Sequence, residues 1–453
     1  MSVTNLPAEA RDSLGRIQSA DIVIGIPSYN NARTIGHVVR AAHAGLVKYF
    51  PQFNGVIVNS DGGSKDGTRD AVLDARIEDQ HLLLLSTPLK GVHRLSFPYH
   101  GIPGKGSAFR LIFGMAAELK AKACVVVDSD LRSITPEWID LLVRPILFGG
   151  FDFVAPYYHR HKFDGTITNS IIYPLTRALY GQSIRQPIGG DFGIGPDLVN
   201  RYLTRGDWET DVARFGIDIW MTTIAVAEGF RICQSFLGAK LHDAKDPGSD
   251  LSAMFQQVLG SLFTLMEQYE PEWRERTGSR AVDVFGFRFD VGLEPISVNL
   301  ERLLEHFRIG YAELAPDIWD HALRPDTLAE VGRLARMAAT PAAVSTFRLD
   351  DNLWTRIVYE FAVAFHTAHA ERSLLMRSFT PLYFGRVASF VLEARDMDAA
   401  QFEARMEDLC LAFERQKRYL LELWPQTPGS RESAAASRDS RQPRVPEATP
   451  VSR

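Results

Sequence analysis

The chain is poor in cysteine, has no long apolar run and carries no excess of charge of either sign. Its 453 residues include three cysteines, Cys124, Cys233 and Cys410, none of them in a CxxC arrangement. This argues against a disulfide framework or a structural zinc site and fits a reducing, cytoplasmic compartment. No stretch reaches the ~18–20 apolar residues of a membrane-spanning helix. Residues 1–20 carry charges and no apolar run, so they are expected to form an N-terminal extension and not a secretory leader. The formal net charge of -5 leaves no electrostatic case for binding nucleic acid or an anionic membrane. A GxxxxGK[ST] phosphate loop is missing as well. What is present is ordinary globular composition, 45% hydrophobic and 23% charged, in a chain long enough for two or three domains.

Strand-like and helix-like segments alternate over the first half. Asp21 to Pro27 and Gly55 to Asn59 read as buried strands, and 33–47 reads as a helix with apolar spacing at Ile35, Val38, Val39 and Ala42. A third apolar run follows at 81–86, then a helix at about 107–121 and a strand at 123–128. This pattern predicts an α/β domain with a Rossmann-like, mostly parallel sheet over 21–250. In such sheets the ligand lies outside the carboxyl ends of the strands. From about residue 251 the apolar period is helical, in 251–269, 295–313, 326–339, 352–370, 381–395 and 399–424, with no strand between. An all-helical C-terminal region over 251–425 is expected, and a disordered tail over 426–453, which is rich in Ser, Pro, Arg and Ala.

Chemistry concentrates at the predicted strand ends. Val125-Val126-Val127 runs into Asp128-Ser129-Asp130, where strand alternation would point both carboxylates the same way. Such a pair needs a partner, and a divalent cation carrying a polyphosphate suits it; a solvated turn is the plain alternative. Pro27-Ser28-Tyr29-Asn30-Asn31 ends the first strand. Ser60-Asp61-Gly62-Gly63 follows the second, offering a carboxylate to a ribose or base, or merely a turn and a helix cap. Ile102-Pro103-Gly104-Lys105-Gly106-Ser107 offers backbone N–H groups and one lysine to a phosphate. Gln186-Pro187-Ile188-Gly189-Gly190-Asp191, Phe215-Gly216-Ile217-Asp218 and Lys240-Leu241-His242-Asp243 complete the set. His242 follows an apolar stretch, Phe230 to Leu237, and is placed to complete a metal site or simply to be exposed.

The order Pro-Gly-Lys-Gly, Asp-x-Asp-Leu with a following Pro-Glu-Trp, Gln-Pro-Ile-Gly-Gly-Asp, Gly-Ile-Asp and a late His resembles retaining glycosyltransferases of the GT-A fold over residues 20–260. The resemblance is nearest to the mannosylglycerate synthases and next to the glucosyl-3-phosphoglycerate synthases. It implies that Pro27, Tyr29, Asp61, Asp128 and Ser129 line a nucleotide sugar, with Lys105 beside the donor phosphates. It implies Asp130 and His242 as ligands of Mg²⁺ or Mn²⁺. Gly189, Gly190 and Asp191 would hold the transferred hexose, and Asp218 would lie near the acceptor. Tyr158-His159-Arg160 and Thr168 match acceptor-binding positions, and the Arg160 fork suits a glycerate carboxylate. Asp191, Asp218 and Lys105 are the implied catalytic groups.

In the phosphoglycerate enzymes an Arg stands two residues before the threonine matched by Thr168. Here that residue is Thr166, which favours free glycerate over a phosphorylated acceptor. The implied reaction is transfer of glucose or mannose from UDP-glucose, GDP-glucose or GDP-mannose to a small hydroxy acid, yielding a compound of the compatible-solute class. Alternatives are transfer to 3-phosphoglycerate, an inverting polysaccharide or glycolipid glycosyltransferase, and a sugar-nucleotide-binding protein without catalysis. The helical region would cover the acceptor side or build a homodimer.

Overall fold

The computed structural model describes residues 6, 8–75, 92–99, 102–241, 251–288, 293–340, 343–368 and 371–425. The expected run at 81–86, His242 and the tail 426–453 lie outside them. Ten strands are present among the described residues: β1 Ile22–Ser28, β2 Gly55–Asp61, β3 Val92–Pro98, β4 Ala123–Val126, β5 Phe153–His159, β6 Gln182–Ser183, β7 Phe192–Ile194, β8 Ile232–Ala239, β9 Arg280–Ala281 and β10 Asp283–Phe285. Eight of them form one sheet in the order β10-β8-β5-β7-β4-β1-β2-β3. Every pairing in it is parallel except those of β7, which runs antiparallel to both β4 and β5. The expected α/β class and mostly parallel sheet are therefore found. The chain order reverses between β1 and β4, and at such a switch point the carboxyl ends of the strands open a crevice.

The strands read as continuous apolar runs because both faces of the sheet are covered. Ile22, Ile24 and Ile26 of β1, with Ala123 and Val125 of β4, pack in a core with the helices Ile35–Tyr49 and Pro136–Gly149. The alternate residues Val23, Cys124 and Val126 face the opposite core, built on the helix Lys105–Glu118. The pleat thus divides each strand between two cores.

Six long helices match the six expected C-terminal segments: Ser252–Gln268, Leu300–Leu314, Pro325–Met337, Asp351–Thr367, Arg372–Ala394 and Ala399–Leu423. Polar caps set several starts. The Asp350 side chain accepts from the N–H groups of Asn352 and Leu353, and Asp398 forms a capping box with Gln401. The expected helical C-terminal region is found, with two short strands added to it: β10 pairs with β8 at the edge of the main sheet and β9 pairs with β6. Those segments have only two or three residues, too short to show a period. Residues 1–20 are also more than an extension: Ala8–Ile17 is helical, and Ala10 is buried in the core shared with Phe109 and Phe113.

The helical region shares its core with the sheet: one apolar cluster runs from Val126 to Phe379 and Phe413. Ion pairs reinforce this contact. Arg177 binds Glu407 at 2.5 Å and Glu414 at 2.8 Å, and Arg185 binds Glu403 at 3.1 Å. No helix among the described residues is long and apolar enough to cross a membrane. Since the Arg177 side chain is almost fully buried, Arg177→Ala is expected to lower the unfolding free energy by about 3 kcal/mol. A urea midpoint that does not move would mean that apolar packing alone holds the last helix.

Candidate active site

The first site element is the loop after β1. Pro27 is buried in the last turn of the strand, in register with Ser60, and Tyr29 beyond it is 64% exposed. Asn31 Oδ1 accepts from the Tyr29 N–H at 3.0 Å and from Ser129 Oγ at 2.9 Å, tying this loop to the one after β4. Asp61 is 1% exposed, and both of its oxygens are engaged. Oδ1 accepts from the N–H groups of Gly63 and Ser64, and Oδ2 from the hydroxyls of Ser28 and Ser64. The carboxylate assigned to a nucleotide thus also shapes the protein's own turn.

Beyond β4 the structure corrects the alternation argument. The strand ends at Val126 and residues 129–130 form a turn, so Asp128 and Asp130 do not alternate on a strand. Asp128 Oδ1 lies 2.8 Å from Lys105 Nζ and Oδ2 lies 2.7 Å from Lys240 Nζ. Burial pushes the Asp128 carboxyl up, but the two ammonium groups outweigh burial and hold it far below the usual carboxylate range. Its partners are therefore lysines, where sequence reasoning supplied a cation. Lys240 also donates to Gly189 O and to Asp191 Oδ2, each at 2.8 Å, and its side chain is only 3% exposed.

Asp191 is wholly buried. Its Oδ1 accepts from the Asp128 N–H at 2.8 Å, and its Oδ2 from Lys240 and from the Tyr158 hydroxyl. Both oxygens of this expected hexose-binding and catalytic group are thus turned inward, to its neighbours. Gly190 stands at φ +90°, and a Cβ there would come within 2.3 Å of Asp128 Oδ2, so the Gly189-Gly190-Asp191 loop requires glycine to reach the cluster.

Lys105 starts its helix beside two glycines whose backbone is not open to a phosphate. The Gly104 N–H donates to the Tyr99 hydroxyl at 2.8 Å and the Gly106 N–H to Arg214 O at 3.3 Å. A Cβ on Gly106 would meet Val212 O at 1.8 Å, so this glycine serves close packing against the turn Asp211–Ala213. Lys105 Nζ stands 3.3 Å from both oxygens of Asp218. Asp218 Oδ1 is nevertheless buried with no hydrogen-bond partner. Burial raises its carboxyl above the ordinary value, and Lys105 only partly opposes this.

On the far side of Tyr158 lies Arg160, with its guanidinium 5.3 Å over the tyrosine ring. Its ion pair with Asp164 is long, 3.8 Å, and Nε is buried without a hydrogen-bond partner. Thr168 is buried at the start of a π-turn, Thr168–Ile172, a distortion frequent at functional sites. Thr166 shares a 2.6 Å hydrogen bond with Tyr383 of the helix Arg372–Ala394, and Lys162 donates to the carbonyls of Arg395 and Met397. The helical region therefore covers this loop.

Asp130 is half-buried in the turn after β4. The Arg132 N–H donates to Leu241 O and the Leu241 N–H to Ser133 Oγ, so the residue preceding His242 is tied to the loop that carries Asp130. Among the described residues no group of three or more His, Cys, Asp and Glu is arranged around a common metal position.

The contacts thus join Lys105, Asp128, Asp191 and Asp218 to Tyr158 and Arg160, with Tyr29 and Ser129 on the adjoining loop. Lys240, quoted in sequence only as part of the segment before His242, is the residue whose role sequence reasoning did not assign. The available signal was a lysine just after a fully buried strand, a position that demands a carboxylate partner.

No family model matches the chain, and no curated protein matches it. Among solved structures, glucosyl-3-phosphoglycerate synthase from Mycobacterium tuberculosis in complex with Mn²⁺, uridine diphosphate and glucosyl-3-phosphoglycerate is similar at 22% identity. That match covers 56% of this chain and 83% of the other, with a TM-score of 0.41. The same enzyme with Mg²⁺ and uridine diphosphate is similar at 21% identity, covering 58% and 85%, again with a TM-score of 0.41. A structure described only as a mycobacterial protein is 24% identical over 58% of this chain and 80% of its own, at 0.41.

A pH test follows from Asp218. Its raised carboxyl means that ionisation costs the folded state stability, a cost absent below the unfolded carboxylate value of about 4 and complete above the folded one. Asp218→Asn is therefore expected to raise the melting temperature at about pH 7 and to leave it unchanged near pH 3. Lower stability at neutral pH would show that the Lys105 contact outweighs burial.

Proposed function

We propose that this chain is a divalent-metal-dependent, retaining glycosyltransferase of the GT-A type that moves glucose or mannose from a nucleoside-diphosphate sugar to D-glycerate. The observation that carries the reading is the cluster at the carboxyl edge of the sheet, where Lys105 and Lys240 meet Asp128, Asp191 and Asp218, with Arg160 over the Tyr158 ring beside it. A preorganised set of fixed charges of both signs suits a ligand rich in hydroxyl, phosphate and carboxylate groups. The motif order read from the sequence supplies the donor half.

Tyr29, exposed at the switch point, offers a face to a nucleobase. Pro27 and Ser129 would line the space beside it. The buried Asp61 shapes that floor by holding Ser28 and Ser64. Asp130 and His242 are the residues that would hold Mg²⁺ or Mn²⁺, since carboxylate and imidazole joined by phosphate oxygens suit these ions. The hydrogen bonds of Leu241 to the Asp130 loop support that pairing. A cation held there would neutralise charge on the departing pyrophosphate.

Lys105 adds a second positive charge on the donor side. Asp128 and Asp191, fixed by Lys240, hold the Gly189-Gly190 loop against the transferred hexose. With both Asp191 oxygens engaged, Asp218 is the carboxylate of the cluster left to meet an incoming hydroxyl. In a retaining transfer the hydroxyl approaches on the face of the leaving phosphate, which takes its proton, and Asp218 orients that hydroxyl. Positioning of this kind supplies much of a transferase's rate.

Arg160 and Thr168 would hold the acceptor carboxylate. Thr166 is 1% exposed and bonded to Tyr383, so its position is not open to a phosphate-binding side chain, which supports a free hydroxy acid. Two measurements test the reading. With Mn²⁺ or Mg²⁺, one of UDP-glucose, GDP-glucose and GDP-mannose is expected to yield an α-hexosyl glycerate by NMR, with no product after chelation. Transfer only to 3-phosphoglycerate would overturn the acceptor assignment, and a β-product the retention. Arg160→Ala is expected to raise KM for glycerate about 10–100-fold with little change in kcat, the loss of one or two charged hydrogen bonds. An unchanged KM would place the acceptor elsewhere.

A further inference from the structure

A cavity of about 430 Å³ lies apart from the carboxylate cluster, between the turn at 207–212 and the helices Ser252–Gln268 and Arg372–Ala394. Its size is in the range of small-molecule sites. Trp220 lines it, two residues beyond Asp218 on the helix Ile217–Ala227, so the two side chains leave opposite faces of that helix. The wall offers amides and hydroxyls beside its apolar residues, with Gln256, Gln257, Gln268, Thr210 and Thr264 among the lining residues.

Two observations indicate that the space is built for a ligand. The charges are uneven. Asp207 is met by Arg205 at 3.0 Å and by the Trp220 N–H at 2.9 Å, Asp211 by Arg214 at 3.0 Å, and Arg372 by Glu267 at 2.5 Å. Arg377 lines the cavity and has no ion pair among the described residues. Finally, Gly260 sits inside the helix Ser252–Gln268, where alanine is the better helix former. A Cβ there would meet Met376 Sδ at 3.8 Å and Asp211 Oδ2 at 4.0 Å, which is ordinary contact. Packing does not demand this glycine; its effect is to leave the cavity open.

We propose that this cavity is a second binding site, for a small hydroxyl-rich anion such as a phosphorylated or acidic sugar. Amides and hydroxyls of the wall meet its hydroxyl groups, and Arg377 meets its charge. The site backs onto the catalytic cluster through one turn. Asp211 and Val212 line the cavity, while Val212 O and Arg214 O pack against Gly106, next to Lys105. The proposal does not rest on the transfer reaction, and its test reads binding without turnover.

Calorimetric titration of the full chain with glucose 6-phosphate, gluconate and glucose decides it. At least one anion is expected to bind at millimolar concentration or below, with glucose about tenfold weaker or undetectable. Gly260→Leu fills the space and is expected to abolish that binding while circular dichroism and the melting transition persist. Should that variant not fold, Arg377→Glu, at an exposed position, is expected to weaken anion binding about tenfold or more. Failure of both anions to bind, binding that survives Gly260→Leu, binding unmoved by Arg377→Glu, or equal binding of glucose would each overturn the proposal.

Discussion

Lys240 between Asp128 and Asp191 is the constraint on which the rest of the site depends. It sits at the end of β8, while Asp128 follows β4 and Asp191 precedes β7, so one ammonium group fixes three strand ends to one another. Buried carboxylates placed this close would repel, and a buried charge left unpaired is costly. Lys105 supplies the second cation and extends the cluster to Asp218. The arrangement is held by the chain's own side chains, and fixed charges of this kind form a preorganised electrostatic environment. Tyr158 closes the cluster, as its hydroxyl donates to Asp191 and its ring lies under both Lys240 and Arg160.

The helical C-terminal region belongs to the same construction. Its last helix is held to the sheet-bearing half through Arg177 and Arg185, and the indole N–H of Trp354 donates to Ser170 O beside the π-turn. The helix Arg372–Ala394 contributes Tyr383 to Thr166 on one side and lines the second cavity with Met376 and Arg377 on the other. One helix therefore touches both the loop bearing Arg160 and a polar space that backs onto Lys105. A region that looks in sequence like a separate all-helical module is structurally a wall of the site.

Much of this molecule was legible from local pattern. Buried strands such as Ile22–Ser28 announce themselves because both faces are covered, and the C-terminal helices because their apolar residues recur at helical spacing. Glycine and aspartate at the strand ends marked where the chemistry lies, since the carboxyl edge of a parallel sheet is a property of the α/β pattern itself. The short strands β9 and β10 were not legible, because two or three residues carry no period.

The sequence by itself determined the class of fold and the edge of the sheet at which the glycines and charged residues gather. Only the tertiary structure decided what each charged group faces. Asp61 and Asp191 look like ligand-binding carboxylates in sequence, yet their oxygens are taken up by Ser28, Ser64, Tyr158 and Lys240, residues up to 49 positions away. Asp218, marked in sequence by the Gly-Ile-Asp motif, is met by Lys105 alone among the described residues, at 3.3 Å. The reason is physical. Backbone periodicity is set by near neighbours, whereas the partner and ionisation of a buried charge are set by whichever distant side chains the fold brings within hydrogen-bonding reach.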